Sequence, residues 1–135
     1  MDFCFAGDTG GIMAGIAELS AMLGYRISPG GLPVHARVGC PGLRVTGAGA
    51  GYCIEYGGKP EFFRGLAILA GKIKSGETCF EVAETRKLES CGVMIDTSRN
   101  AVPRVGTLKE YLRFMALMGM DTMLLYMEDT YELEG

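Results

Sequence analysis

Residues 1–87 predict an α+β sandwich, a mainly antiparallel sheet with two helices on one face, and residues 88–135 predict the first βαβ unit of a second, parallel fold. Three observations carry this. Two stretches with apolar residues at helical spacing, Ile12 to Leu23 and Phe62 to Ile73, are interleaved with short alternating runs that suit strands. From Val93 onward the strands read instead as unbroken apolar segments, the pattern of strands covered on both faces. The length, 135 residues with 48% hydrophobic content, suits one ordinary domain or slightly more.

The first strand is Asp2 to Ala6, alternating around Phe3 and Phe5 before Gly7-Asp8-Thr9-Gly10-Gly11, a turn cluster with candidate helix caps. Ile12, Ile16, Leu19 and Leu23 then follow at steps of 4, 3 and 4, one face of a helix that Gly24 ends. Between Leu32 and Tyr56 the helical period disappears. Val34 to Val38, Leu43 to Thr46 and Tyr52 to Tyr56, separated by Gly and Pro, predict a hairpin or small meander. Pro60 suits a first helical turn, and Phe62, Leu66, Leu69 and Ile73 form the next buried stripe, ending near Gly76. A strand from Thr78 to Ala83 completes the first domain.

After the charged stretch Glu84 to Glu89 come an apolar strand, Val93 to Ile95, a polar loop, a helix, and a second apolar strand, Met123 to Tyr126. Thr107-Leu108-Lys109-Glu110 reads as a capping box at the helix start, Leu108, Leu112, Met115 and Met118 as its buried stripe, and Gly119 as its stop. A lone βαβ unit cannot cover such strands. The commonest owner of the unit is a (β/α)8 barrel of ~250 residues, so residues 88–135 read as an incomplete barrel, begun and then cut off.

Composition excludes several classes. Thirteen Lys and Arg against 16 Asp and Glu, a net charge of −3 with no basic cluster, give no footprint for phosphate backbones, so no nucleic-acid partner is expected. No apolar run approaches the ~18 to 20 residues of a membrane span, and the N-terminus lacks a basic segment ahead of an apolar one, which predicts a cytoplasmic chain with no membrane contact. The five cysteines, Cys4, Cys40, Cys53, Cys79 and Cys91, are odd in number and widely spaced. With His35 the only histidine, they predict free thiols and no metal or other cofactor.

Two glycine clusters invite a nucleotide reading. Gly47-Ala48-Gly49-Ala50-Gly51 leads into a strand, not a helix, and predicts a hairpin turn. Gly7 to Gly11 precedes a helix but lacks the Lys-Ser/Thr ending of a phosphate loop, and predicts a helix-entry turn. His35, flanked in a strand by Val34 and Ala36, is expected to face solvent or a hydrogen bond and receives no role. Met115, Met118, Met120, Met123 and Met127 read as core filling.

The strand ends are more informative. Asp96-Thr97-Ser98-Arg99-Asn100 follows one strand of the βαβ unit and Glu128-Asp129 the other, so parallel pairing brings both groups to the carboxyl edge, where α/β folds carry their sites. Arg99 can fork hydrogen bonds to a carboxylate, a phosphate or vicinal hydroxyls. The plainer reading is a structural salt bridge from Arg99 to Asp96, Glu128 or Asp129.

Gly92-Val93-Met94-Ile95-Asp96-Thr97-Ser98-Arg99-Asn100-Ala101, then Leu117-Met118-Gly119-Met120, then Leu125-Tyr126-Met127-Glu128-Asp129-Thr130-Tyr131-Glu132-Leu133-Glu134-Gly135 resemble the opening of the catalytic barrel of glycoside hydrolase family 20, the β-N-acetylhexosaminidases. The likeness is to a bacterial branch whose α+β domain, ahead of the barrel, has a second helix resembling Lys59 to Ala70. It covers essentially the whole chain, with its motifs concentrated in residues 92–135. The resemblance implies that Arg99, from the Asp-x-Ser-Arg motif, hydrogen-bonds hydroxyls of the N-acetylhexosamine being cleaved, with Asp96 and Glu128 beside it as further substrate-binding residues. It also implies substrate-assisted chemistry: the acetamido oxygen attacks the anomeric carbon, an Asp steadies the acetamido group, and the adjacent Glu protonates the leaving oxygen.

No Asp-Glu dipeptide occurs in the 135 residues, and Glu128-Asp129 has the reverse order. No catalytic residue is therefore assigned in this chain. The expectation is the N-terminal fragment of a retaining exo-β-N-acetylhexosaminidase acting on glycans that end in N-acetylglucosamine or N-acetylgalactosamine, inactive by itself. The unfinished strands Val93 to Ile95 and Met123 to Tyr126 are expected to drive self-association or local disorder. The rival is a free-standing, non-catalytic carbohydrate-binding or scaffolding α+β module that has lost the barrel. A small nucleotide-binding α/β protein fails for want of a phosphate loop.

Overall fold

A computed structural model describes residues 1–99 and 102–128. In chain order the elements are β1 (Asp2–Gly7), α1 (Met13–Leu23), β2 (Arg26–Ile27), β3 (Leu32–Val38), β4 (Leu43–Ala48), β5 (Tyr52–Tyr56), α2 (Lys59–Lys74), β6 (Cys79–Glu84), β7 (Gly92–Asp96), α3 (Val105–Met118) and β8 (Thr122–Tyr126). The first eight build one six-stranded sheet with its two helices, in strand order β2-β1-β3-β5-β4-β6, and β7 and β8 form a second, two-stranded sheet.

The fold is α+β, but the larger sheet is mixed, which corrects the antiparallel expectation. β1 pairs parallel with both β2 and β3, and β3 parallel with β5, while β4 runs antiparallel to β5 and β6. The cause lies in the connections. A helix between strands returns the chain in its original direction, and α1 and α2 each do so. Only β4 is reversed, by the tight turn into β5. There Ala48 N–H donates to the Gly51 carbonyl at 3.1 Å and Gly49 takes a φ of 74°, so the hairpin turn read from Gly47 to Gly51 is present. Because β5 fills the lane between β3 and β4, the three strands form no meander.

Alternation along the strands puts Phe3, Val34, Ala36, Leu43, Val45, Tyr52, Ile54 and Tyr56 on one face, packed with Ile12 and Ile16 of α1 and Phe62, Leu66 and Leu69 of α2. Both helices therefore lie on that face. α2 approaches closely because residue 65 is glycine: a Cβ there would lie 2.7 Å from Leu43 Cδ1 and 2.8 Å from Ile54 Cγ2. His35 stands exposed in β3, facing solvent as the alternation predicts.

Two capping expectations fail. At α1 the N-cap is Ile12 and no side chain caps it. Asp8 instead fastens the ends of three strands: its N–H donates to Ala36 O at 2.8 Å, its Oδ2 accepts from Val38 N–H at 2.9 Å, and its carbonyl accepts from the Tyr56 hydroxyl at 2.6 Å. At α3 the helix has begun by Val105, with Arg104 extended at its N-cap and no side-chain cap, so Thr107 and Glu110 lie inside the helix and form no box. The stops at Gly24 and Gly119 are as read, with φ of 75° and 77° in the left-handed region that glycine tolerates.

β7 and β8 pair in parallel, Gly92 opposite Thr122 through Asp96 opposite Tyr126, with α3 as their crossover. α3 packs against α2 and is tied to α1 by an Arg113 to Glu18 ion pair. Of its expected buried stripe only Met115 is buried, and Leu112 and Met118 are exposed, because no other described element covers that flank. A cleft of about 380 Å³, lined in part by Leu19, Phe63, Leu112 and Ala116, lies where the three helices meet. Among the described residues, no helix is long and apolar enough to cross a membrane.

Charged residues join the two sheets. Arg86 donates to Glu61 of α2 at 3.3 Å, to the Leu88 carbonyl at 2.7 Å, and to Asp121 ahead of β8. Asp121 also accepts from the Cys91 N–H at 3.0 Å, linking the starts of β7 and β8. Arg86 first, then Cys91 and Thr122, hold the Asp121 carboxyl well below the usual carboxylate range. Glu84 is lowered as well, chiefly by its hydrogen bonds from Arg64.

A carboxyl whose pKa is depressed by folding contributes stability above its unfolded value and loses it as pH falls through its folded value. Thermal stability is therefore expected to be flat from pH ~8 to ~5 and to fall below pH ~4, near the unfolded carboxyl pKa. Asp121→Asn should shallow that fall, in melting curves followed by circular dichroism. A decline already under way between pH ~8 and ~6 would assign control to another group, outside the carboxylate range.

Candidate functional site

The carboxyl edge of β7 and β8 gathers the residues singled out in the sequence. Asp96 ends β7, and parallel register sets it opposite Tyr126, the last residue of β8. The chain leaves β7 in a turn built on the Asp96 carboxylate. Its Oδ1 accepts from Ser98 N–H and Ser98 Oγ, both at 2.8 Å, and from Arg99 N–H at 3.2 Å. Such short-range bonding is what Asp does where an extended strand must turn. Thr97 ties the turn to the neighbouring strand, its N–H and Oγ1 donating to the Tyr126 carbonyl at 2.9 Å and 3.0 Å.

With its backbone held, Arg99 sends its guanidinium across to Glu128. Nε donates to Oε2 at 2.6 Å and Nη2 to Oε1, a two-pronged pair. Tyr126 joins it: the phenol donates to Glu128 Oε1, and the Arg99 Cζ lies 5.9 Å from the centre of its ring. The sequence-derived residues thus meet, with a division of labour. Glu128 orients the guanidinium, whereas Asp96 orients the Arg99 backbone. Asp129, the other candidate ion-pair partner, lies outside the described residues, as do Asn100 and Ala101 of the motif.

Electrostatics follow the geometry. The Ser98 hydrogen bonds, backbone first, lower the Asp96 pKa. Arg99 and then Tyr126 lower that of Glu128, while the bond to Glu128 raises those of Arg99 and Tyr126. Asp96 and Glu128 are therefore anions and Arg99 a cation at neutral pH, and neither carboxyl is poised to supply a proton. The Arg99 side chain remains 62% exposed, so it can meet a ligand without breaking its pair. Such a group suits recognition of hydroxyls and not acid catalysis.

Sequence reasoning missed Tyr126 as a site residue because it reads as the last apolar position of a core strand. The register against Asp96 was the available signal. Beside the site, a cleft of about 420 Å³ between β7 and α3 is lined by Val93, Met94, Ile95, Tyr111, Phe114 and Met118, with Asp96 and Met115. Its apolar walls suit protein packing better than a sugar. Among the described residues, no cluster of His, Cys, Asp and Glu could hold a metal ion.

No family model matches the chain, and neither does any curated protein. Among solved structures the fold is similar to that of an inactive mutant of an exo-β-N-acetylglucosaminidase of glycoside hydrolase family 20 from Vibrio harveyi. The TM-score is 0.68 at 14% sequence identity, over 92% of this chain and 21% of that one. The likeness establishes the fold, shared with part of a glycoside hydrolase more than four times as long.

Proposed function

We propose that this chain is the N-terminal portion of a retaining exo-β-N-acetylhexosaminidase of glycoside hydrolase family 20. Its substrate class is a glycan or glycoconjugate ending in N-acetylglucosamine or N-acetylgalactosamine. In this reading residues 1–87 are the non-catalytic α+β domain and residues 88–135 begin the catalytic barrel. Arg99 hydrogen-bonds hydroxyls of the terminal sugar, Glu128 fixes its guanidinium, and Asp96 fixes the turn that carries it.

The observation that carries the reading is the Arg99 to Glu128 fork at the carboxyl edge of a parallel β7-α3-β8 unit. The arrangement suits vicinal hydroxyls: a planar cation, held from one side and open on the other. The similarity to a hexosaminidase over both sheets supports it independently. So does the bareness of the unit: beyond Ala70 only Met115 is a buried apolar residue, among those described. The chemistry needs an acetamide-steadying Asp and a proton-donating Glu, which this reading places in later barrel strands. The free cysteines support a reducing compartment, and we assign the protein to the cytoplasm.

The expected result is binding without turnover. Titration of the isotope-labelled chain with N-acetylglucosamine should shift the Thr97, Ser98, Arg99 and Tyr126 to Glu128 signals. Arg99→Ala should weaken that binding by at least about tenfold, because a charged, two-pronged donor is lost. A nitrophenyl N-acetylglucosaminide should release no nitrophenol. Sugar-induced shifts that persist unchanged in Arg99→Ala would sink the assignment, and turnover by the chain alone would sink the division of labour. Sequencing the locus past the codon for Gly135 tests the rest: an open frame lacking an Asp-Glu pair after a later strand would refute the hexosaminidase reading.

A further inference from the structure

The turn after β7 and the acidic residue after β8 are joined through a side chain that the Asp-x-Ser-Arg motif does not contain. Tyr126 contacts the site in three ways. Its carbonyl accepts both Thr97 donors, at 2.9 Å and 3.0 Å, its phenol donates to Glu128 Oε1, and its ring lies near the Arg99 guanidinium, 5.9 Å from Cζ to the ring centre. The oxygen that receives the phenol is also the one that receives Arg99 Nη2.

An ion pair as open to water as this one has little hold on its own geometry. Both side chains are long, and screening by solvent leaves an exposed pair weak. A third group must fix the carboxylate plane if the guanidinium is to be ready for a ligand. Tyr126 can do so because its own backbone is clamped in strand register opposite Asp96. It is also 37% exposed, so its hydroxyl is not part of the packed core.

We propose that Tyr126 is the positioning residue of the sugar subsite, holding Glu128 and thereby Arg99 in the binding geometry. This inference rests on the hexosamine reading of the site for its ligand, though not for its geometry. Tyr126 does not act on the sugar itself. It reduces the orientations that Arg99 must give up on binding, so its effect falls on affinity.

Tyr126→Phe and Tyr126→Leu in the full chain test this, with two readouts. The first is solvent exchange of the Arg99 Nε proton, followed by nuclear magnetic resonance. The second is affinity for N-acetylglucosamine in the same samples. Tyr126→Phe is expected to speed that exchange severalfold and to weaken the sugar about threefold to tenfold, the usual effect of one lost hydrogen bond. The β7 and β8 amide pattern should stay in place, and Tyr126→Leu, which also loses the ring, should weaken binding further.

An unchanged exchange rate in Tyr126→Phe would overturn the proposal. So would loss of β7 to β8 pairing in that variant, since the phenol would then serve the strands and not the fork. If the wild-type chain binds no N-acetylglucosamine, the hexosamine reading fails, while the exchange measurement still decides what Tyr126 does.

Discussion

Phe62→Ala is expected to destabilise the six-stranded unit by about 3 to 5 kcal/mol, the range for removing a large buried aromatic side chain. Phe62 is fully buried, with ring centres 5.1 Å from Tyr56 and 5.4 Å from Phe63, both in edge-on geometry. It sits in the first turn of α2, ahead of Leu66 and Leu69 on the same face. The cavity cannot close easily, since Gly65 already brings the helix within contact distance of Leu43 and Ile54. Domains of this size have about 5 to 15 kcal/mol in hand, so one substitution removes much of it. Because α3 packs on α2, β7 and β8 should lose their support in the same transition. Urea unfolding followed by circular dichroism measures the loss directly, with Phe63→Ala as the milder, partly buried comparison. A loss below ~1 kcal/mol would mean that the core relaxes around the gap, against the usual behaviour of buried aromatics.

The same helix shows which features were legible in the sequence. Pro60, the spacing of Phe62, Leu66, Leu69 and Ile73, and the glycine past the end are local signals, and they describe α2 nearly to the residue. Lane order is not local. Nothing in the alternation of Leu43 to Thr46 and Tyr52 to Tyr56 says which strand lies beside β3, so a sheet with three parallel pairings read as antiparallel. The two-residue β2 was invisible for a related reason: Arg26 and Ile27 join the sheet only because α1 delivers them beside β1. The Thr107 to Glu110 pattern misled because a capping box acts only at a helix start, and Val105 and Gly106 had already begun the helix. At the site, polarity made Asp96, Arg99 and Glu128 visible. Tyr126 was hidden by its aromatic body, although strand parity puts it opposite Asp96.

The chain by itself is expected to self-associate through β7, α3 and β8. Met94, Leu112, Phe114, Met118 and Leu124 are each more than half exposed, a concentration of apolar surface absent from the six-stranded unit. Two parallel strands with one helix are too few to be self-sufficient, since parallel sheets normally have both faces covered. Covering such side chains gains about 1.5 to 3 kcal/mol each, against an association cost of about 4 to 15 kcal/mol. Gain and cost are of the same order, so association should depend on protein concentration. Sedimentation velocity over a concentration series should therefore show a monomer giving way to larger species. Met94→Lys combined with Leu124→Glu should restore the monomer without lowering the melting temperature, because both positions are exposed and, being register partners, carry opposite charges. A monomer at every concentration in the unmodified chain would refute the expectation, and persistent association in the double variant would move the contact elsewhere, for instance to the free edge of β6. The same double variant also separates this surface from the sugar subsite. Arg99 and Glu128 lie past the strand ends, and Tyr126, although it shares a face with Leu124, bonds Glu128 at the carboxyl edge, so the double variant should bind N-acetylglucosamine as the parent chain does. If its affinity fell with the oligomer, the subsite would depend on the contact between copies, and the bare faces of β7 and β8 would be part of the binding machinery.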